Sequence, residues 1–338
     1  MSLARVQGQT RAVEALQAVL RRGTVPHAWL FEGPEGVGKE LAAFAFAQAL
    51  VCPEKPLEGC DACAACKRVL KGMHPDVTRV LPEDEQVRRG WAGRSDFDHT
   101  PSRDIRVEQV RALQERLAFR ALESKWKVAV LLTAHAMNPQ AQNALLKTLE
   151  EPPRDTVLVL VSSASDKLLP TIRSRCTRAL FGPLPENVIA AHLQTARKLD
   201  AAKAAPLARL AQGSLSRAME LDEKVLTERR DIIERFEALD PKDARGWLAF
   251  AEVAAEDRAQ AELSLEVLRE WLHLVARAQA GASVEPEFAA LATASAAKQS
   301  AATLHRRALL IDEARNAITS RNGGLRLQLE RMLIEMHA

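Results

Sequence analysis

The chain has 338 residues, 47% apolar and 27% charged, with a formal net charge of +3 at pH 7. That length exceeds what one compact core fills and implies two or three domains, while the near-balanced charge does not by itself require a nucleic-acid partner. With no Tyr, nine Phe and five Trp, a base-stacking platform for single strands is not expected.

In chain order, Thr10 to Arg22 places Val13, Leu16, Val19 and Leu20 on one face and reads as an amphipathic helix. Trp29-Leu30-Phe31 reads as a short buried strand, and Leu41 to Val51, apolar on most faces, as the helix packed beneath a sheet. Asp76 to Leu81 suits a further strand. Residues Pro82 to Asp104 are polar and without period, the pattern of an exposed loop. A helix from Val107 to Ala121, the strand Val128–Leu132, a helix from Gln140 to Leu149 and the strand Val157–Val161 follow. Strands alternating with helices imply an open α/β sheet.

After Phe181-Gly182-Pro183-Leu184-Pro185 the strand signal stops, which marks a domain boundary. Asn187–Leu199, Ala205–Gln212 and Leu215–Leu221 form a small helical unit, and an all-α block runs from about Glu223 to the end. Its stripes are Leu265, Leu268, Leu272 and Val275; Leu304, Ala308, Ile311 and Ile318; and Leu329, Met332, Leu333 and Met336. No run of about 18 apolar residues occurs, so neither a membrane span nor a membrane partner is expected. Met1 to Arg5 shows no signal-peptide core, which makes cytoplasmic the expected location.

Three groups of residues carry chemistry. Gly33-Pro34-Glu35-Gly36-Val37-Gly38-Lys39 has the G-x-x-x-x-G-K frame in which backbone N–H groups cradle phosphates at a helix start. Gly33, Gly36, Gly38 and Lys39 are its candidate nucleotide ligands, and ATP is the nucleotide such a loop takes; a glycine turn that binds nothing is the other reading. The next residue, Glu40, replaces the Ser or Thr whose hydroxyl holds Mg²⁺, and the strand Val128–Leu132 runs into Thr133-Ala134-His135 without a carboxylate. Two separate losses of metal-binding groups predict no intrinsic ATP hydrolysis.

Cys52, Cys60, Cys63 and Cys66 are spaced as four soft ligands for one tetrahedral ion, a structural Zn²⁺ with no open position, and Gly59 allows the turn ahead of the second. In a reducing compartment such clustering points to metal rather than to disulfides. Arg175, within Ser174-Arg175-Cys176, stands at the edge of the α/β domain. It can either reach a neighbour's nucleotide or make an ordinary surface ion pair. Arg103, Arg106 and Arg111, near the start of the helix at Val107, suit DNA phosphates or a solvated face equally.

These groups converge on one resemblance. Pro26 to Phe31 leading into Gly33–Lys39, the four cysteines, His74-Pro75-Asp76, the run Asn143 to Pro153 and Ser174-Arg175-Cys176 are similar to the AAA+ family of bacterial DNA polymerase III clamp-loader subunits, in its δ′ type. The likeness covers roughly residues 5–180 and rests on the Asn143–Pro153 run as its most specific element.

The resemblance implies an α/β domain of P-loop type over 1–180 with a zinc module at 52–66, a helical lid over 181–222, and a C-terminal helical collar over 223–338 that assembles a ring of five subunits. It further implies a catalytically inert subunit of the DNA-directed DNA polymerase III holoenzyme. Such a subunit works with γ/τ and δ subunits to load the sliding clamp onto primed DNA, and meets primer–template DNA through the complex. Arg175 would be an arginine finger acting in trans on ATP held by an adjacent subunit. The hydrolysing γ/τ subunits keep the Lys-Thr/Ser pair and an acidic strand end, so their absence here selects δ′. An ATP-hydrolysing γ/τ-type subunit is the alternative, and a zinc-dependent nucleic-acid-binding module is a third. The resemblance places a sensor arginine of hydrolysing members at Ser216, with Arg217 one residue on.

Overall fold

The computed structural model describes residues 3–222, 224–321 and 324–337. Its first α/β elements are α1 (Thr10–Arg22), closed by Gly23, and β1 (Ala28–Glu32), buried at every position. Next come α2 (Lys39–Val51), α3 (Ala64–Lys71), β2 (Val77–Val80), α4 (Glu83–Arg88), α5 (Val107–Ala118) and β3 (Lys127–Leu131). They continue with α6 (Pro139–Glu150), β4 (Thr156–Ser162), α7 (Pro170–Arg175) and β5 (Thr177–Leu180).

All five strands pair in parallel, in the order β2-β3-β4-β1-β5. Leu30 lies opposite Leu160, and Ala129 opposite Leu158. β1, β3 and β4 are buried along their whole length because helices cover both faces of the sheet. Against one face pack Leu113 and Leu117 of α5, Leu145 and Leu149 of α6, and Ile172 of α7. Elsewhere in the core Trp29, Phe31 and the α2 residue Phe46 meet, with Trp29 and Phe46 edge to face at 5.5 Å. The chain leaves β1 toward the β2 edge and returns to the other edge at β5. The strand order therefore reverses beside β1, the place where open α/β sheets put their ligand crevice.

The expected exposed loop over 82–104 is corrected in part. It contains α4, and its far end is tied down around Glu83, which is nearly buried. The Glu83 carboxylate accepts from Arg106 Nη2 at 2.7 and 2.8 Å, from the Ser102 amide at 3.0 Å, and meets His99 Nε2 at 2.9 Å. Burial pushes this carboxyl up, but Arg106 and the Ser102 amide prevail and hold it below the usual range. Arg106 is thereby spent on Glu83, which counts against it as a phosphate contact.

By internal contacts the chain divides into Met1–Leu199 with Ala211–Glu220, and Asp200–Leu210 with Leu221–Ala338. The stretch 181–222 is shared between the two: α8 (Glu186–Arg197) is in the first unit, α9 (Ala201–Leu210) in the second, and α10 (Leu215–Glu220) in the first again. The second unit is otherwise α11 (Lys224–Glu237), α12 (Ala244–Ala254), α13 (Arg258–Gln279), α14 (Ala289–Lys298), α15 (Ala301–Arg321) and α16 (Leu325–His337).

The stripes read from sequence are its core: Leu265, Leu268, Leu272, Val275, Leu304, Ile311, Ile318, Leu329, Met332, Leu333 and Met336 are all buried, and Ala308 packs against them. Arg229 is buried there between Glu270 and Glu285, four contacts at 3.1 Å each, and Arg209 joins Glu285 at 2.6 Å. A buried guanidinium is tolerable only when its donors are so matched.

Candidate functional site

The phosphate-loop frame is where the sequence places it, at the C-terminal end of β1 and the start of α2, but its lysine is turned inward. The Lys39 side chain is buried, and its ammonium donates to the Gly33 carbonyl at 2.7 Å and to the Pro34 carbonyl. Burial, partly opposed by Glu35, lowers its pKa to about 8. The outer side of the loop is covered as well. Gly36 adopts φ +73°, and a Cβ there would overlap the hydroxyls of Ser214 and Ser216. The Leu215 amide donates to the Gly36 carbonyl at 2.9 Å. The segment Ser214–Ser216 thus lies directly on the loop.

Glu40 does more than remove a hydroxyl. Its carboxylate takes both bonds from Arg89 Nη1, at 2.7 and 2.9 Å, and the same guanidinium reaches Glu85 at 2.5 Å. Thr133, at the end of β3, donates its hydroxyl to Glu85 at 2.9 Å. Trp91 sits under Arg79 at 3.8 Å and Arg89 at 5.1 Å. The first turn of α2 is therefore an anchor for the 83–91 segment. Nothing in the sequence pattern signalled Arg89 or Glu85 as parts of this site, because each arrives from a distant element. His135, in a short turn after β3, faces Ser162 Oγ at 3.3 Å, and burial first, then Lys167, lowers its pKa.

At the other end of α2, Cys52 follows the last helical turn and joins Cys60, Cys63 and Cys66. The four sulfurs all lie within 4.8 Å of one another. Cys52 Sγ and Cys63 Sγ are 3.9 Å apart, and Cys60 Sγ and Cys66 Sγ 4.0 Å. Sulfurs about 2.3 Å from a tetrahedral centre stand about 3.8 Å apart, which these two separations approach.

The amides of Lys55, Cys63 and Cys66 donate to the sulfurs of Cys52, Cys60 and Cys63 at 3.3, 3.3 and 3.4 Å, which favours the thiolate form. The Cys63 amide, then that of Ala62, lowers Cys60 to about 6, whereas burial raises Cys66. Gly59 takes φ +78°, the turn its position calls for. Gln48 Nε2 donates to the Cys66 carbonyl at 2.9 Å and locks the cage to α2. The four cysteines could hold a metal ion. Cys176 is far from them in sequence and buried, its thiol pushed up to about 12 by burial.

Arg175 ends α7 and is partly exposed, with its guanidinium on Glu150 at 2.8 Å and on the Thr171 carbonyl at 3.0 Å. His74 and Asp76 serve the fold. The Asp76 carboxylate accepts the amides of Leu122, Glu123 and Ser124 at 2.6, 2.9 and 2.8 Å and the Ser124 hydroxyl at 2.9 Å.

A family model described as DNA polymerase III, delta subunit, matches residues 8–185, more than half of the chain. The chain belongs to the DNA polymerase III delta-subunit family. Among curated relatives, DNA polymerase III subunit delta' of Bacillus subtilis is 35% identical over 54% of this chain and 50% of its own. The protein of the same name from Pseudomonas aeruginosa is 41% identical over 47% and 44%. DNA polymerase III subunit tau of Bacillus subtilis is 31% identical over 69% of this chain and 39% of its own. The chain spans about half the length, or less, of the curated relatives it matches. Among the described residues no helix is long and apolar enough to cross a membrane.

Proposed function

We propose that this chain is the δ′-type subunit of a DNA polymerase III clamp loader, a cytoplasmic protein that does not hydrolyse ATP itself. It supplies Arg175 to ATP bound by a neighbouring subunit while the assembly loads a sliding clamp onto primed DNA. The observation that carries this is the contrast within one domain: Lys39 and Gly36 are taken up by the chain's own atoms, whereas Arg175 stays at the surface. A guanidinium from outside stabilises charge on a transferring phosphoryl group without any chemistry in its own subunit.

In this reading the partners are γ/τ and δ subunits in a ring of five. The division into an α/β domain over 1–180, a lid over 181–222 and a collar over 223–338 belongs to it, the collar making the ring. The cysteine cage holds structural Zn²⁺, which an all-sulfur tetrahedral set favours; bound there, it would fix the 52–72 segment against α2. The test is reconstitution. Wild-type chain should co-purify with γ/τ and δ subunits and raise their clamp-dependent ATP turnover, and Arg175→Ala should assemble equally well while losing most of that increase. Unchanged turnover removes the assignment of Arg175.

A further inference from the structure

We infer that Glu150 is a positioning residue for Arg175, holding its guanidinium in the orientation that a neighbouring subunit's nucleotide meets. The inference rests on the reading of Arg175 given above and gives a role to one residue of the Asn143–Pro153 run. Three observations carry it.

The first is that the two residues stand on elements fixed to each other. Gln142 of α6 accepts the Leu169 amide at 2.8 Å and donates to the Lys167 carbonyl at 3.3 Å, which rivets α6 to the turn that begins α7. Leu145, Leu149 and Ile172 close the same core beneath. Only the side chain of Arg175 is left to choose its direction.

The second is the geometry of the pair. Nη2 meets Glu150 Oε1 at 2.8 Å, and Nη1 donates to the Thr171 carbonyl at 3.0 Å. A guanidinium carries five N–H donors in one rigid plane. Two contacts therefore fix the plane and leave other donors for an incoming phosphate.

The third is that Glu150 breaks a local rule. It is the last residue of α6, with Glu151 beside it. Carboxylates at a helix C-terminus face the negative end of the macrodipole and are disfavoured there. A residue that violates a helix preference calls for a compensating role, and Arg175 is the cation that offsets it. The side chains of Arg175 and Glu150 remain 37% and 51% exposed, so the pair adds little to stability. Its effect belongs in turnover.

The experiment compares ATP turnover by the reconstituted assembly, with clamp and primed DNA, for wild type, Glu150→Gln, Arg175→Ala and the double variant, alongside thermal melts of each chain. Glu150→Gln should leave melting and KM for ATP unchanged and lower kcat roughly two- to fivefold, the scale of an exposed ion pair. The double variant should be no slower than Arg175→Ala. If Arg175→Ala slows turnover but Glu150→Gln does not, or the two losses multiply, the positioning role is wrong and the role of Arg175 stands. If Arg175→Ala changes nothing, both fall together. A Glu150→Gln effect on KM alone also overturns the inference, because a residue that orients the transition-state donor acts on kcat.

Discussion

At its N-terminal end α2 begins inside a phosphate-binding frame whose lysine bonds to the loop's own carbonyls; at its C-terminal end it delivers Cys52 to the sulfurs of Cys60, Cys63 and Cys66. Both ends match a ligand-binding spacing in the sequence; at one the lysine is bonded to the chain's own carbonyls, at the other four sulfurs could hold a metal ion. The difference follows from what each set of groups can find nearby. Ammonium and amide donors are easily satisfied by carbonyls and hydroxyls, and Lys39 takes those of Gly33 and Pro34. Clustered sulfurs find only weak amide donors, and a second negative charge among them repels the first. A phosphate loop can close on itself; a four-thiolate cage resolves its charge with a cation.

The largest test of that contrast is at the metal end. Cys66→Ser, or stripping the protein with a strong chelator, should remove about one bound zinc per chain and cost roughly 4–5 kcal/mol of stability, the scale of a lost structural metal. Elemental analysis and denaturant unfolding check this, and a metal-free protein with wild-type stability would erase the difference between the two ends.

Asp76→Ala comes next, near 3 kcal/mol by the same unfolding measurement, since it orphans three backbone amides at once. Burial pushes this carboxyl up, but those amides and Ser124 prevail and set it below its ordinary 3.8. A depressed carboxyl stabilises the fold above its unfolded pKa and loses that contribution as pH falls through the folded one. Wild type should therefore lose more stability than Asp76→Ala on acidification below about pH 4.

At the phosphate-loop end the effects are smaller and fall in the alkaline range, with the same sense: stability rises with pH. Lys39 is a base whose pKa burial depresses to about 8, so the unfolded chain binds the extra proton between about pH 8 and 10.5. Stability of wild type relative to Lys39→Met should rise across that window, by an amount on the order of 2 kcal/mol. The same variant should leave the turnover of the assembled complex unchanged, unlike the loss expected in a hydrolysing subunit.

Glu40→Thr is the mildest. Restoring the hydroxyl costs the half-exposed pair with Arg89, about 0.5 kcal/mol in a thermal melt. It should not create ATPase activity, because Ser214–Ser216 still lie on Gly36. An active Glu40→Thr chain would show that the loop is only one residue from working.

How much of this was legible in the sequence depends on where each signal is written. Val157–Val161 and, within a residue, Val128–Leu132 read correctly as strands because both faces are covered and every residue is apolar. β5 escaped, since as an edge strand it buries only Ala179. α4 escaped because its one buried residue is Glu83, which is held by an ion pair rather than by apolar periodicity. α3 and α7 are too short to show a period. The cysteine cage could be read from spacing alone, because its ligands lie close together in the chain. The cover on the phosphate loop could be read only in part: Ser216 is placed there by the resemblance, whereas Arg89 arrives through a tertiary contact that leaves no local pattern.

The most direct test is to titrate the purified chain with Mg-ATP, following heat of binding and phosphate release together. Phosphate release should stay at background, with no binding tighter than about millimolar. Turnover by the chain alone, abolished by Lys39→Met, would contradict it.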